Sequence, residues 1–269
     1  SFSVPPDYIS KVFDVPAFNM AVTGGGAVDG LALTRYVLEN SSYPPRLFLV
    51  EIVATDLNTR VWQYYMPLNL VPHLELNQKW AVIKSVFRDT LSINSLRDAL
   101  LLLFGFQPDK GFITFESDGT GIRRSEIVGF TSETYKSKID QQTPAVYRRN
   151  ICFELDRDGM RSIQKLAALS TRYDFNIIFY RSPLNVEFFE KVDQQKPSYK
   201  KCQALFSEFM QTLVDKYPSV QYNDLLYYQP ISDLGEVGFV DVQHITSYGS
   251  KLLVDALLPS IERGLVEKK

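Results

Sequence analysis

The sequence contains two histidines, His73 and His244, which limits the candidates for a general base near neutral pH. His244 lies three residues after Asp241 and just before a C-terminal segment of helical character. On a turn, a carboxylate at this spacing can hold the imidazole in one tautomer and stabilise its protonated form. His73 has Glu75 nearby, but nothing else around it indicates a site, and we interpret it as a surface or packing residue. The spacing of Asp241 and His244 therefore indicates acid–base chemistry.

A glycine-rich turn at Gly24–Gly26 separates a short apolar segment from a predicted helix. Glycines are common in tight strand-to-helix turns, so a purely structural role stays open. Backbone N–H groups at such a turn could also bind phosphate at the start of the helix. The dinucleotide fingerprint G-x-G-x-x-G is not met, because the third glycine falls at position 30 instead of 29.

The composition excludes several classes of function. The chain has 269 residues with 29 Lys+Arg against 31 Asp+Glu, a near-neutral balance that argues against binding a nucleic-acid backbone. No apolar run approaches the ~18 residues that a membrane span needs. Cys152 and Cys202 form no metal-binding pattern, so we predict no metal site and no cofactor, and we interpret both as small buried hydrophobic residues.

Three blocks, taken in order and spacing, resemble those of the SGNH, or GDSL-type, hydrolase family. They are Asn19 to Gly24, Val53 to Asp56 and Asp241 to His244. The first block has the family's Asn and a Gly five residues on, and the second stands where the family has G-x-N-D. The third is the family's D-x-x-H and is followed by a polar residue and Gly249. The resemblance spans residues 1–58 and 150–269, and it is closest to the extracytoplasmic bacterial branch for polysaccharide O-acetylation and teichoic acid D-alanylation.

The resemblance implies a Ser-His-Asp triad in which His244 is the base and Asp241 orients it. It also implies an oxyanion site formed by the Gly24 N–H and by Thr55. Thr55 replaces the family's Asn, and its hydroxyl has a shorter reach than a carboxamide, so the neighbouring Asn58 could substitute for it. Loss of one oxyanion donor typically lowers the rate by ~10²–10³-fold.

The nucleophile block, G-D-S or G-S-S, does not occur in the sequence. By the family's spacing, this serine and the central strand that it ends would lie just before Ser1. Our leading hypothesis is therefore that the sequence begins after that strand and nucleophile. Two alternatives stay open: Ser1 or Ser3 could serve as the nucleophile, or the domain could be catalytically degenerate.

The elements that would position these residues follow an α/β pattern. We predict strands at 16–22, 46–53, 176–180 and 220–222, and helices at 27–39, 161–173, 199–216 and 248–263, the last bent at Pro259. Strands that are apolar on both faces are typical of a parallel sheet covered by helices. The predicted fold is one α/β domain over residues 1–269, a three-layer α/β/α sandwich with a mainly parallel, flavodoxin-like sheet.

A long insertion occupies about 59–150. Its residues Trp62 and Tyr65 could line an acyl or sugar subsite or form the insertion's own core.

The leading functional hypothesis is an SGNH-type serine esterase or O-acyltransferase acting on acylated carbohydrate or a small ester. The alternative is a catalytically degenerate SGNH-like module that binds polysaccharide or assists an assembly complex. A nucleotide-binding α/β protein is a third hypothesis, and it rests on the glycine turn alone. The resembled branch implies a periplasmic or cell-surface location in a bacterium, with a membrane tether possible upstream of Ser1.

Overall fold

The structure is a computed structural model of the chain, and the residues that it describes are 4–20, 26–52, 68–76, 78–80, 113–115, 121–123, 133, 135–137, 140–141, 155, 157–195, 198–239 and 244–266. They form a mixed α/β fold in which helices surround a small parallel sheet. The helices are α1 (Pro6–Phe13), α2 (Ala27–Asn40), α3 (Arg157–Tyr173), α4 (Val186–Gln195), α5 (Ser198–Lys216), α6 (Gln229–Ser232) and α7 (Ser247–Val266). The strands are β1 (Leu47–Glu51), β2 (Ile113–Phe115), β3 (Gly121–Arg123), β4 (Asn176–Arg181) and β5 (Val220–Asp224), and two 3-10 helices cover Leu68–His73 and Gly235–Val237.

The parallel sheet has β4 in its centre, β1 on one side and β5 on the other. Leu47 of β1 is level with Asn176 of β4, and Ile177 of β4 is level with Val220 of β5. Helices α4 and α5 connect β4 to β5, as parallel neighbours require a crossover. This arrangement confirms the prediction of an α/β fold, and the three strands of this sheet are all parallel.

Strand β4 is buried along its whole length, which explains its unbroken apolar run. Successive side chains of a strand point to opposite faces. Ile177 and Phe179 pack into one hydrophobic cluster with residues of α2, α3 and α5. Ile178 and Tyr180 pack into another cluster, to which α7 contributes Leu253, Val254, Leu257 and Ile261. Helices therefore cover both faces of the central strand.

Seven of the eight predicted elements are confirmed, with ends that shift by a few residues: α2, β1, α3, β4, α5, β5 and α7. The predicted strand at 16–22 is wrong over residues 16–20, which are irregular, and residues 21–22 lie outside the described part. Asp14 ends α1 in the left-handed conformation with φ 51°, and the Ala17 N–H donates to Ser10 Oγ at 3.0 Å. These contacts fold the segment back along α1, and Phe18 stays 62% exposed.

Part of the predicted insertion packs on the α/β core. Leu70 and Leu74 form a small cluster with Val28 and Ala32 of α2. An antiparallel hairpin pairs β2 with β3.

Cys202 on α5 is buried, as its place in the apolar stripe predicted. It is also disulfide-bonded, which corrects our interpretation of the cysteines as small hydrophobic residues. Cys152 is the other cysteine of the sequence. Burial and bonding are compatible, because a core position shields the bond from reductants.

Candidate functional site

His244 lies next to an antiparallel bridge that holds the backbone in place. Phe239 and Ile245 form an antiparallel bridge, and their side chains are 0% and 4% exposed. The Thr246 N–H donates to the Gly238 carbonyl at 2.9 Å, and the Thr246 hydroxyl donates to the Val237 carbonyl at 2.6 Å. The bridge and these bonds hold the backbone next to His244, whose own side chain is exposed.

The start of α7 holds the backbone on the C-terminal side of His244. Thr246 Oγ1 accepts a hydrogen bond from the Gly249 N–H at 3.1 Å and so caps the helix. A Cβ built on Gly249 would lie 2.7 Å from the Gly238 carbonyl oxygen. The glycine therefore permits a backbone approach that no other residue allows without displacement. This explains physically why a glycine follows His244 at this spacing.

Helix α7 runs antiparallel to the parallel strands. Its Gly264 carbonyl accepts a hydrogen bond at 2.6 Å from Asn176, the first residue of β4. A Cβ on Gly264 would lie 3.0 Å from Leu47, the first residue of β1. The first turn of α7 lies about 25 Å away along the helix axis, at 1.5 Å per residue. His244 therefore lies on the carboxyl side of the sheet, where ligands bind in open α/β sheets.

The other predicted site residues lie outside the described residues, so their proximity to His244 stays a prediction. They are Asp241, Ser1, Ser3, Gly24, Thr55, Asn58, Trp62 and Tyr65. Gly26, the last glycine of the predicted turn, is described and immediately precedes α2. Its N–H donates to Asp29 Oδ2 at 2.7 Å. Burial raises the pKa of the Asp29 carboxyl, and this hydrogen bond partly opposes that rise.

His73 packs against α2, which agrees with its interpretation from the sequence as a surface or packing residue. Its Nδ1 lies 3.2 Å from Glu39 Oε2, and its ring makes an edge contact with Tyr36. The His73 carbonyl accepts a hydrogen bond from Arg35 at 2.9 Å. Glu75 pairs with Lys165 of α3 rather than with the imidazole. These contacts assign His73 a role in docking the 3-10 helix.

A buried polar network at the carboxyl ends of the strands was not foreseen from the sequence. Arg181, the last residue of β4, is 2% exposed. Its Nε donates to Asp224 Oδ1 at 2.8 Å, and its Nη1 donates to Gln203 Oε1 at 2.5 Å. Ser207 donates to the second Asp224 oxygen at 2.9 Å, and the guanidinium lies 5.3 Å from the centre of the Phe206 ring. A charge at the end of an apolar run gives no sequence signal of such burial.

Two neighbouring side chains extend the polar edge. Ser182 donates to the carboxylate of Glu51 and so joins the ends of β4 and β1. Burial raises the pKa of the Tyr222 hydroxyl on β5, which keeps this phenol neutral.

A pocket of about 320 Å³ opens on the same side of the sheet, and we call it the β4–β5 pocket. Leu184 and Val186, which follow β4, form one wall, and Tyr227, Gln229 and Ser232, which follow β5, form the other. The Leu184 N–H donates to the Leu226 carbonyl at 3.2 Å and ties the two segments together. The pocket is thus formed by segments that follow β4 and β5 and that the sheet itself positions.

Within the described part of the chain, no three His, Cys, Asp or Glu side chains are grouped to hold a metal ion. In the same part, no helix has the length and apolar character to cross a membrane. Comparisons of the sequence with protein-family models and curated proteins, and of the fold with solved structures, find no match.

Proposed function

We propose that the protein is an SGNH-type serine esterase or O-acyltransferase that acts on acylated carbohydrate or a small ester. The observation that carries the proposal is the position of His244. It follows Asp241 by three residues and lies next to the Phe239–Ile245 bridge, on the carboxyl side of a parallel sheet. A general base needs this kind of rigid support next to an accessible imidazole.

In the proposed mechanism, a serine hydroxyl attacks the acyl carbonyl while His244 takes its proton. Asp241 orients the imidazole and stabilises its protonated form. The Gly24 N–H, the serine N–H and Thr55 bind the oxyanion. His244 then protonates the leaving alcohol, and the acyl group remains on the serine. Water or a sugar hydroxyl next attacks the acyl-enzyme with His244 as base, which gives hydrolysis or transfer respectively.

The fold that accompanies this proposal is a flavodoxin-like, three-layer α/β/α sandwich. The sheet order β1-β4-β5 and the helices on both faces of β4 support it. We also propose an extracytoplasmic location. The disulfide at Cys202 supports it, because disulfides persist mainly in oxidising compartments.

The alternative function is a catalytically degenerate SGNH-like module that binds polysaccharide or assists an assembly complex. Two features of the sequence favour it: there is no G-D-S or G-S-S block, and Thr55 stands in the place of the family's Asn. This module would use the same sheet edge for binding and would not form an acyl-enzyme.

A fluorophosphonate probe applied to the natural full-length protein, including any residues before Ser1, and followed by peptide mapping separates the two functions. The enzyme proposal predicts a covalently labelled serine together with hydrolysis of an acetylated sugar. Because a general base contributes ~10²–10⁴-fold, His244→Ala should lower hydrolysis and labelling by at least about 100-fold. The matched control is His73→Ala, which removes the other histidine and should leave both signals unchanged. Full activity in His244→Ala would exclude the triad, and an unlabelled, inactive chain would favour the binding module.

A further inference from the structure

We propose that the β4–β5 pocket binds a neutral, polyhydroxylated ligand of about the size of one sugar unit. Its volume of about 320 Å³ lies at the lower end of the ~300–1,000 Å³ typical of small-molecule sites. The pocket lies outside the carboxyl ends of two adjacent parallel strands, a common place for ligands in this architecture. The proposal does not depend on His244 or on the esterase activity.

Ser232 contributes a hydroxyl group to the wall of the pocket. The residue is 6% exposed, and within the described residues its Oγ has no hydrogen-bond partner. Its backbone is fixed, since the Ser232 N–H donates to the Tyr228 carbonyl at 3.0 Å. The Oγ is closed to solvent in this conformation, so it reaches a ligand hydroxyl after rotation about the Cα–Cβ bond of Ser232. A hydroxyl both donates and accepts, so it then suits a ligand hydroxyl, which has the same capacity. A buried polar group without a partner is unfavourable, and a bound ligand or water would remove that penalty.

The pocket also presents an aromatic surface. Tyr227 lines it and is 54% exposed, beside the apolar side chains of Leu184 and Val186. A sugar ring has an apolar face made of C–H groups and a polar edge made of hydroxyls. An exposed aromatic ring can cover that apolar face while the polar groups of the wall bind the edge. The hydrogen bond from Leu184 to Leu226 holds the two walls together before any ligand binds.

The charges of the pocket favour a neutral ligand. Glu190 and Asp233 contribute two carboxylates, and Lys200 contributes one ammonium group. Carboxylates accept strong hydrogen bonds from hydroxyl groups, and Lys200 can donate to hydroxyl oxygens. The excess of negative charge disfavours a phosphorylated or carboxylated ligand, whereas Lys200 disfavours a cation. Neutral hydroxyls satisfy both kinds of group.

Ligand-observed NMR on the full chain tests the proposal directly. The probes are methyl glucoside and N-acetylglucosamine as neutral sugars, glucose 6-phosphate as an anion and choline as a cation. We expect saturable binding of at least one neutral sugar, and weaker binding of the phosphate and of choline. The proposal is overturned if neither neutral sugar binds saturably, or if either charged probe binds more tightly than both.

Variants then locate the bound sugar. Tyr227→Ala should weaken binding about tenfold, and Ser232→Ala about fivefold, without loss of thermal stability. The control is Tyr173→Ala on α3, a tyrosine of similar exposure that does not line the pocket, and its binding should be unchanged. Wild-type affinity in both pocket variants would place the sugar elsewhere and refute the proposal. His244→Ala should bind the sugar normally, which separates this result from the test of the esterase.

Discussion

A Cβ on Gly249 would lie 2.7 Å from the carbonyl oxygen of Gly238, so helix α7 and the segment that contains Gly238 meet backbone to backbone. We predict that Gly249→Ala lowers the free energy of unfolding by about 1–3 kcal/mol, because one of the two backbones must move. It should also reduce any His244-dependent activity, since the displaced segment carries the Phe239–Ile245 bridge. Urea unfolding and the hydrolysis assay measure the two effects.

Gly30→Ala provides the matched control for this substitution. Gly30 is also helical, but a Cβ there would have no atom within 4 Å. Alanine favours the helix over glycine by about 0.8–1.0 kcal/mol, so this variant should be more stable than the wild type. Equal effects of the two substitutions would contradict the close contact at Gly249.

The buried guanidinium of Arg181 makes Asp224 important for stability. We expect Asp224→Ala to lower the free energy of unfolding by about 3 kcal/mol, because a buried charge loses its partner. The comparison is Asp140→Ala at the exposed Lys191–Asp140 pair. Lys191 lowers the pKa of the Asp140 carboxyl, yet solvent screening should leave stability almost unchanged there. If the two substitutions shifted the denaturant midpoint from that of the wild type by similar amounts, the buried pair of Arg181 and Asp224 would not exist as described.

Asp29 should make stability depend on pH. Burial raises the pKa of its carboxyl in the folded state, so folding favours the protonated form. The stabilising contribution is present in full below the ordinary Asp pKa and is lost as pH rises through the raised value. Asp29→Asn keeps an oxygen that can accept the Gly26 N–H, so it should gain stability relative to the wild type as pH rises from 3 to 7. A stability difference that does not change with pH would contradict this sign.

The disulfide at Cys202 should contribute to stability. We expect Cys202→Ser to lower the free energy of unfolding by about 2–4 kcal/mol, and reduction of the wild type should have a similar effect. Alkylation of the denatured, unreduced protein followed by mass measurement should find no free thiol. A thiol detected at Cys202 would show that the bond is absent and would remove the support that it gives to an extracytoplasmic location.

The core elements could be predicted from the sequence because burial imposes a period on the residues. Cys202, Phe206, Phe209 and Leu213 share one face of α5 at helical spacing, and residues 177–180 of β4 form an apolar run because helices cover both faces of that strand. The segment at 16–20 misled the prediction because a short apolar run does not specify a strand without a neighbour to pair with. Its conformation follows from the left-handed Asp14 and the Ser10 hydrogen bond, which are tertiary and turn effects.

Less of the candidate site could be predicted. The pair Asp241 and His244 was found because histidine is scarce in the chain. The close backbone contact between Gly238 and Gly249 has no signal in sequence spacing alone. The β4–β5 pocket was missed for a related reason. Tyr227 and Ser232 belong to the segment after β5, which has an ordinary composition, and only the sheet register brings that segment beside Leu184.

The Tyr8 hydroxyl of α1 donates to Asp255 of α7 at 2.8 Å, across 247 residues of sequence. Helix α7 also covers the face of β4 that carries Ile178 and Tyr180. During synthesis, that apolar face and the apolar side of α1 therefore lack this cover until residues 247–266 have been made. The nascent chain exposes apolar surface over that interval, and such surface favours aggregation.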